Sequence, residues 1–152
     1  MEVPTPERTR DLIALAIQDE IRARDTYAAW ADRTNDPDVR AMLTKLAEEE
    51  ESHRCVLETM RRYLAPLKLI SKTPQPPPPL PPWAHAEITG EPRDVRELLI
   101  WAVRDEQAAQ ERYRAMASVA PSEKMRDACD SLVVDEGRHQ RRLEEQFEKL
   151  FG

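Results

Sequence analysis

Glycine and aromatic residues are scarce in this chain, and their scarcity argues against a β-rich fold. The 152 residues include 3 glycines, and aromatic residues make up 5%. Sheet proteins usually need glycine in tight turns and aromatic or β-branched residues in strands. Alanine, leucine, glutamate and arginine, which favour helices, are abundant instead. The composition therefore predicts an all-α protein, and the length predicts a single domain over residues 1–152.

Paired cysteines, long apolar runs and clustered positive charge are also absent, and each absence excludes a class of protein. The two cysteines, Cys55 and Cys129, form no C-x-x-C pair, which excludes a rubredoxin-type iron site or a zinc knuckle within this chain. No apolar run approaches the length of a membrane span, and MEVPTPERTR lacks the core of a signal peptide. The net charge of -6 and its even spread argue against a nucleic-acid partner. We therefore expect a cytoplasmic protein with no membrane partner.

Four segments carry apolar residues at helical spacing, and a proline-rich stretch divides them into two pairs. Polar caps and prolines mark the starts near Pro6, Pro37, Pro92 and Pro121. The proline cluster at 74–82 cannot lie inside a helix and is predicted to be extended. We expect a helical hairpin over 5–64, a Pro-rich crossover over 65–91 and a second hairpin over 92–151.

The two predicted hairpins repeat each other at one offset of 86 residues. The matched pairs include Pro6 and Pro92, Glu20 and Glu106, Tyr27 and Tyr113, Glu50 and Glu136, and His53 and His139. We interpret this as an internal duplication of a helical hairpin. Two such hairpins joined by a long crossover predict the topology of a ferritin-like four-helix bundle.

Acidic residues and histidines fall inside the apolar stripes, where the periodicity predicts the core. Glu50 and His53 are three residues apart and project from one helix face. Counting about 14 residues from Glu20 to the turn, and about the same from the turn to Glu50, places both at one height. The second hairpin repeats this arrangement. The converging set is Glu20, Glu50, His53, Glu106, Glu136 and His139.

Four buried carboxylates repel one another unless protons or cations neutralise them. Two divalent cations would balance four carboxylates, and imidazole is a suitable ligand for iron, manganese or zinc. One Glu from each of two helices, with Glu-x-x-His from the other two, is the ligand pattern of dinuclear carboxylate bundles. Two metal-free alternatives stay open: a decayed duplicate, and an interaction module whose Pro-rich segment docks a partner.

Further polar residues lie close to the six candidate ligands in sequence. Tyr27 and Tyr113 could hydrogen-bond the carboxylates of the site or simply fill the core. Asp19 and Asp105 could pair with the histidines or face solvent. We expect Glu48, Glu49 and Glu51 to be solvated.

The chain resembles the rubrerythrin branch of the ferritin-like superfamily. The likeness lies in Glu20 with Tyr27, "EESH" at 50–53, Glu106 with Tyr113, and "EGRH" at 136–139. It implies a dinuclear iron centre in which Glu50 and Glu136 bridge the ions and Glu20 and Glu106 are terminal ligands; manganese or a mixed pair suits the same ligands. It also implies an oxidoreductase that reacts with hydrogen peroxide or dioxygen, in a homodimer or larger homo-oligomer.

Two departures from the rubrerythrin pattern refine this expectation. Rubrerythrins usually carry a further Glu three residues after the third-helix ligand, where this chain has Ala109 and, in the first repeat, Ala23. The six-ligand set is thus closer to that of bacterioferritin, so a ferroxidase or iron-handling function is the alternative. The rubredoxin domain is absent from this sequence, so we expect electrons from a separate donor or from ferrous iron.

Overall fold

In a computed structural model of the protein, residues 6–63 and 79–152 are described, and they form helices and no strand. The four long helices are α1 (Pro6–Arg33), α2 (Pro37–Tyr63), α3 (Val95–Ser118) and α4 (Glu123–Phe151), with a 3-10 helix at Pro82–His85. The all-α prediction is therefore confirmed. None of the described helices combines the length and the apolar character needed to cross a membrane.

Polar caps explain where the last three helices begin. Asp36 accepts hydrogen bonds from the backbone N–H groups of Asp38 and Val39 at 2.9 and 3.2 Å, which starts α2. Ser122 caps α4 by accepting from the N–H of Met125. The third helix begins at Val95, three residues later than the predicted start near Pro92, because the Asp94 carboxylate supplies the cap at 2.8 Å.

A short connection turns α1 back onto α2. The two helices are separated by residues 34–36 alone, and they pack along each other. Arg40 of α2 donates to the carbonyl oxygens of Ala31 and Thr34 at 3.1 and 2.8 Å. These bonds satisfy acceptors that the end of α1 would otherwise leave unpaired. The helices α3 and α4 likewise pack against each other across residues 119–122.

Two apolar clusters fill the interior, and a polar layer separates them along the helices. The first contains residues such as Leu43, Leu46 and Leu99, and the second contains residues such as Leu57 and Met125. In each helix the candidate glutamate lies between residues of the first cluster and residues of the second. The fold therefore places the charged side chains deep inside, with apolar packing on both sides.

The described part of the predicted crossover docks on the second helix pair. The Trp83 ring stacks on Phe147 with centroids 3.6 Å apart, and its indole N–H donates to Glu148 at 2.9 Å. Arg104 of α3 donates to the carbonyl oxygens of Ala84 and Ala86. In the predicted extended cluster at 74–82, Pro81 is extended (φ -64, ψ 155), but Pro82 opens a 3-10 helix. The predicted crossover between 65 and 78 lies outside the described residues.

Candidate metal centre

The structure brings all six candidate ligands together in the polar layer. Each glutamate is 1% exposed, and His53 and His139 are 5% and 3% exposed. They form two groups, in each of which the potential ligand atoms lie within 4.8 Å of one another. The groups are Glu20, Glu50, His53 and Glu136, and Glu50, Glu106, Glu136 and His139. Glu50 and Glu136 belong to both groups and therefore lie between the two positions that a pair of ions could occupy.

One atom of each of these six side chains is buried without a hydrogen-bond partner among the described residues. His53 Nδ1 approaches Glu136 Oε1 to 2.7 Å, and His139 Nδ1 approaches Glu50 Oε1 to 2.8 Å, yet neither contact has hydrogen-bond geometry. Two ligand atoms about 2.1 Å from one ion lie roughly 3 Å apart when they subtend a right angle at it. The unpaired atoms and their spacing therefore suit cation binding.

Two tyrosines form hydrogen bonds between α1 and α3 to the outer glutamates, Glu20 and Glu106, which each belong to one of the two groups only. Tyr27 of α1 donates to Glu106 Oε1 at 2.6 Å, and Tyr113 of α3 donates to Glu20 Oε1. Burial, with the nearby carboxylates, raises the pKa of both phenols well above its ordinary value. Both tyrosines consequently remain protonated donors at neutral pH. The sequence left open whether these tyrosines hydrogen-bond the site or only fill the core. In the structure both hydroxyl groups hydrogen-bond the carboxylates.

Each imidazole contacts a second carboxylate with its outer nitrogen. His139 Nε2 lies 2.5 Å from Glu49, and His53 Nε2 lies 3.3 Å from Asp135. The hydrogen bond from His139 is the main reason that the pKa of Glu49 is lowered. We expected Glu49 to be solvated and did not single out Asp135. A signal was present, because 49 and 135 are themselves related by the offset of 86 residues.

Asp19 and Asp105 lie on the α1–α3 side and pair with arginines, not with the histidines. Asp19 forms ion pairs with Arg112 at 2.9 Å and with Arg22 at 3.0 Å, and Asp105 lies 3.8 Å from Arg22. Burial raises the pKa of Asp105 to about 7. From sequence we expected these two aspartates either to pair with the histidines or to face solvent. The structure instead places arginines beside them.

Without metal, protons balance the charge of the cluster. Burial and the neighbouring carboxylates raise the pKa of Glu50 and Glu136 well above its ordinary value. Burial also acts on Glu20, but the neighbouring Glu50 carboxyl, His53 imidazole and Tyr113 hydroxyl outweigh it and lower the pKa of Glu20 to about 2. The shared glutamates therefore hold protons more tightly than Glu20 does.

The imidazoles and the remaining glutamate complete this balance. Burial disfavours the imidazolium forms, but the surrounding carboxylates outweigh it and raise the pKa of His53 and His139 well above its ordinary value. Burial is likewise outweighed at Glu106, whose pKa is lowered by the neighbouring Glu136 carboxyl, by His139 and by the hydroxyl of Tyr27. Protons on the shared glutamates and on the imidazoles therefore offset the negative charge of Glu20 and Glu106. Divalent cations could take the place of the protons with the same net charge.

The fold and the cluster define a class: an all-α, four-helix protein with a buried carboxylate–histidine cluster that is suited to metal binding. A scan of protein-family models and a search of curated proteins found no match to this chain. Among solved structures, it is similar to the "Hypothetical Protein Pfu-1136390-001 From Pyrococcus furiosus". That similarity has a TM-score of 0.72 and 26% identity, and covers 92% of this chain and 88% of that chain. The likeness supports the fold, and the name of that protein states no activity.

Proposed function

We propose that this chain is a dinuclear iron protein of rubrerythrin type, which reduces peroxide or dioxygen with electrons from a separate donor. The observation that carries the proposal is the convergence of six buried ligand atoms that lack hydrogen-bond partners among the described residues. Leaving this many polar atoms unpaired in a protein interior is costly. Two divalent cations would remove that cost, which is why we infer metal rather than an empty polar core.

The ferritin-like architecture with duplicated hairpins belongs to the same proposal. Reciprocal contacts support it, because Tyr27 reaches Glu106 while its repeat mate Tyr113 reaches Glu20. The histidine contacts also cross between the hairpins. Nδ1 of each histidine approaches the glutamate of the Glu-x-x-His motif in the other hairpin. Such reciprocity is expected of two repeats related by a pseudo-two-fold axis.

In this proposal the six ligands balance the charge of the ions, and the residues around them orient the ligand side chains. Two ferrous ions held by the six ligands would supply two electrons, which with two protons reduce peroxide to two waters. Reduction of dioxygen to water would take a second pair of electrons from the separate donor and four protons in all. Glu50 and Glu136 would be shared between the ions, and Glu20 and Glu106 would each serve one ion. The tyrosines fix the outer carboxylates, and Glu49 with Asp135 fixes the imidazole tautomer in which Nδ1 is free to bind.

A ferroxidase or iron-handling function is the second candidate, and the positions of two alanines favour it. Ala23 and Ala109 are each 3% exposed and lie one helical turn after Glu20 and Glu106. No seventh carboxylate is therefore supplied at the position where rubrerythrins carry one. In this alternative ferrous iron would be a substrate that is turned over many times.

Anaerobic titration of the metal-stripped chain with ferrous iron, followed by hydrogen peroxide, tests both candidates. We expect two irons per chain and rapid oxidation by peroxide, followed by the near-ultraviolet absorbance of ferric iron. Glu136→Ala should lose both irons, because Glu136 belongs to both ligand groups. Glu145→Ala removes an exposed glutamate from the same helix and should change nothing.

The outcomes separate the proposals. Retention of two irons by Glu136→Ala, or no iron in the parent chain, would refute the metal centre. Binding of two irons without reaction with peroxide would refute the rubrerythrin-type activity. Uptake of many irons per chain in air would favour the iron-handling alternative.

A further inference from the structure

A cavity of about 400 Å³ lies between α2 and α4, on the outer side of the histidines. His53 and His139 form its inner wall, so the imidazole rings separate it from the carboxylate cluster. Its rim carries charged side chains from both helices: Lys45, Glu49, Asp135, Arg138 and Arg142. The proposed reduction of peroxide or dioxygen does not account for a space of this size, which falls within the usual range for pockets that bind organic molecules.

The cavity has an excess of positive charge although the whole chain carries -6. Its rim carries three cationic side chains and two carboxylates, so the rim alone has a net charge of +1. Both carboxylates already have partners. Glu49 contacts His139 at 2.5 Å and Arg142 at 3.6 Å, and Asp135 contacts His53 at 3.3 Å.

Both arginines retain donors for a further partner. Arg138 is paired with Asp135, and its side chain is 53% exposed; that of Arg142 is 36% exposed. A guanidinium has five N–H donors, so it can hold a carboxylate of the protein and one of a ligand together. The two arginines are four residues apart on α4 and therefore lie on one helix face.

The remaining lining suits a short carbon chain. Ser52 and Ser131 contribute hydroxyl groups, and Val56 and Leu132 contribute apolar surface about three helical turns from Lys45 and Arg142. An inorganic oxyanion would fill only a small part of about 400 Å³. Cations on opposite helices, Lys45 on α2 and the arginines on α4, suit a molecule with an acidic group at each end.

We propose that this cavity binds a small organic dicarboxylate. Arg138 and Arg142 would hold one carboxylate in bidentate fashion, and Lys45, on the opposite wall, would pair with the other. The site goes beyond the proposed function. Its occupation requires no metal, because every lining group belongs to the chain.

Isothermal titration calorimetry of the metal-free, full-length chain with succinate tests the proposal. We expect one succinate per chain. Arg138→Gln and Arg142→Gln should each weaken binding at least tenfold, because each removes a charge-assisted hydrogen bond. Arg141→Gln is the matched control: this neighbouring arginine is exposed and does not line the cavity, so its succinate affinity should stay within twofold. Lys45→Gln should also weaken binding, because it removes the cation that pairs with the second carboxylate.

Parallel titrations with inorganic phosphate and with neutral 1,4-butanediol separate the kinds of ligand. An affinity for succinate that exceeds the affinities for phosphate and for 1,4-butanediol supports the assignment. Binding of phosphate alone, equal affinity in Arg141→Gln and Arg142→Gln, or no binding of any probe would overturn it. Circular dichroism of each variant establishes that the fold is retained. Because these titrations contain no metal, their failure leaves the iron titration above unaffected, and the reverse also holds.

Discussion

At the scale of single residues, each histidine of the cluster lies between two carboxylates. The inner nitrogen of His139 faces Glu50 at 2.8 Å, and its outer nitrogen faces Glu49 at 2.5 Å. Once a cation has displaced the proton of the inner nitrogen, a carboxylate on the outer nitrogen holds the remaining proton there and directs the inner lone pair toward the cluster. Glu49 is thus a positioning residue for the proposed metal ligand.

Replacement of Glu49 tests this arrangement. We expect Glu49→Gln to weaken binding of manganese or cobalt by about 10- to 100-fold, because a neutral amide holds the imidazole less strongly. Glu48→Gln is the matched control, since it changes an exposed neighbour by the same chemistry. Competition titration against a metal-sensitive dye measures both affinities. Equal affinities in the two variants would show that the contact between Glu49 and His139 does not support metal binding.

The six candidate ligands could be predicted from sequence, whereas their supporting carboxylates could not. Helical periodicity shows that Glu50 and His53 face the core, because that depends on one helix alone. Whether Glu49 meets solvent or His139 depends on how α2 packs beside α4. The spacing of residues within one helix carries no information about how α2 is rotated relative to α4. The repeat relation between 49 and 135 was visible, but a repeated acid beside a core position is equally expected on a solvated face.

At the scale of helices and connections, local signals predicted most helix ends to within a few residues, and long-range contacts determine the docked segment before α3. Proline after a polar cap predicted the starts of α1 and α2, because capping involves neighbouring residues only. The 3-10 helix at Pro82–His85 was not predicted. Its Ala84 is fully buried, and Trp83 contacts Phe147, which lies more than sixty residues further along the chain. A segment held by such contacts has no periodicity of its own to detect.

Truncation of Trp83 tests how much this docked segment contributes to stability. We expect Trp83→Ala to lower the free energy of unfolding by about 2 kcal/mol, because it removes the stacking on Phe147 and the hydrogen bond to Glu148. Trp83→Phe keeps an aromatic ring and should cost less than about 1 kcal/mol. Urea unfolding followed by far-ultraviolet circular dichroism measures both. Equal losses in the two variants would show that the ring stacking contributes nothing.

At the scale of the whole molecule, the polar layer between the two apolar clusters links stability to pH. The pKa values of Glu50, Glu136 and both histidines are raised in the folded chain, and that of Asp105 is raised to about 7. These groups keep protons that the unfolded chain releases, at pH about 4 for the acids and about 6.5 for the histidines. The unfolded state then binds fewer protons, so the stability of the metal-free chain falls as pH rises.

The ionised glutamates do not reverse this direction between pH 5 and 8. The pKa of Glu20 is lowered to about 2, and that of Glu106 is also lowered. A lowered pKa contributes stability that is present above the unfolded value, about 4.3, and is lost only as pH falls through the folded value. Both contributions are therefore constant above pH 5, and the raised groups determine the slope.

Metal binding should have the opposite dependence on pH, because each cation must displace protons from the same side chains. We expect the melting temperature of the metal-free chain to fall between pH 5.5 and 7.5. Over that range, the increase produced by excess manganese should grow, since a ligand that binds only the folded state stabilises it according to its affinity. Thermal unfolding with chelator or with manganese, at three pH values, measures both trends. Glu136→Ala should show no manganese effect at any of them. A melting temperature of the metal-free chain that rises across this range would mean that protons do not balance the buried carboxylates. An increase by manganese that shrinks as pH rises would mean that the cations do not compete with those protons.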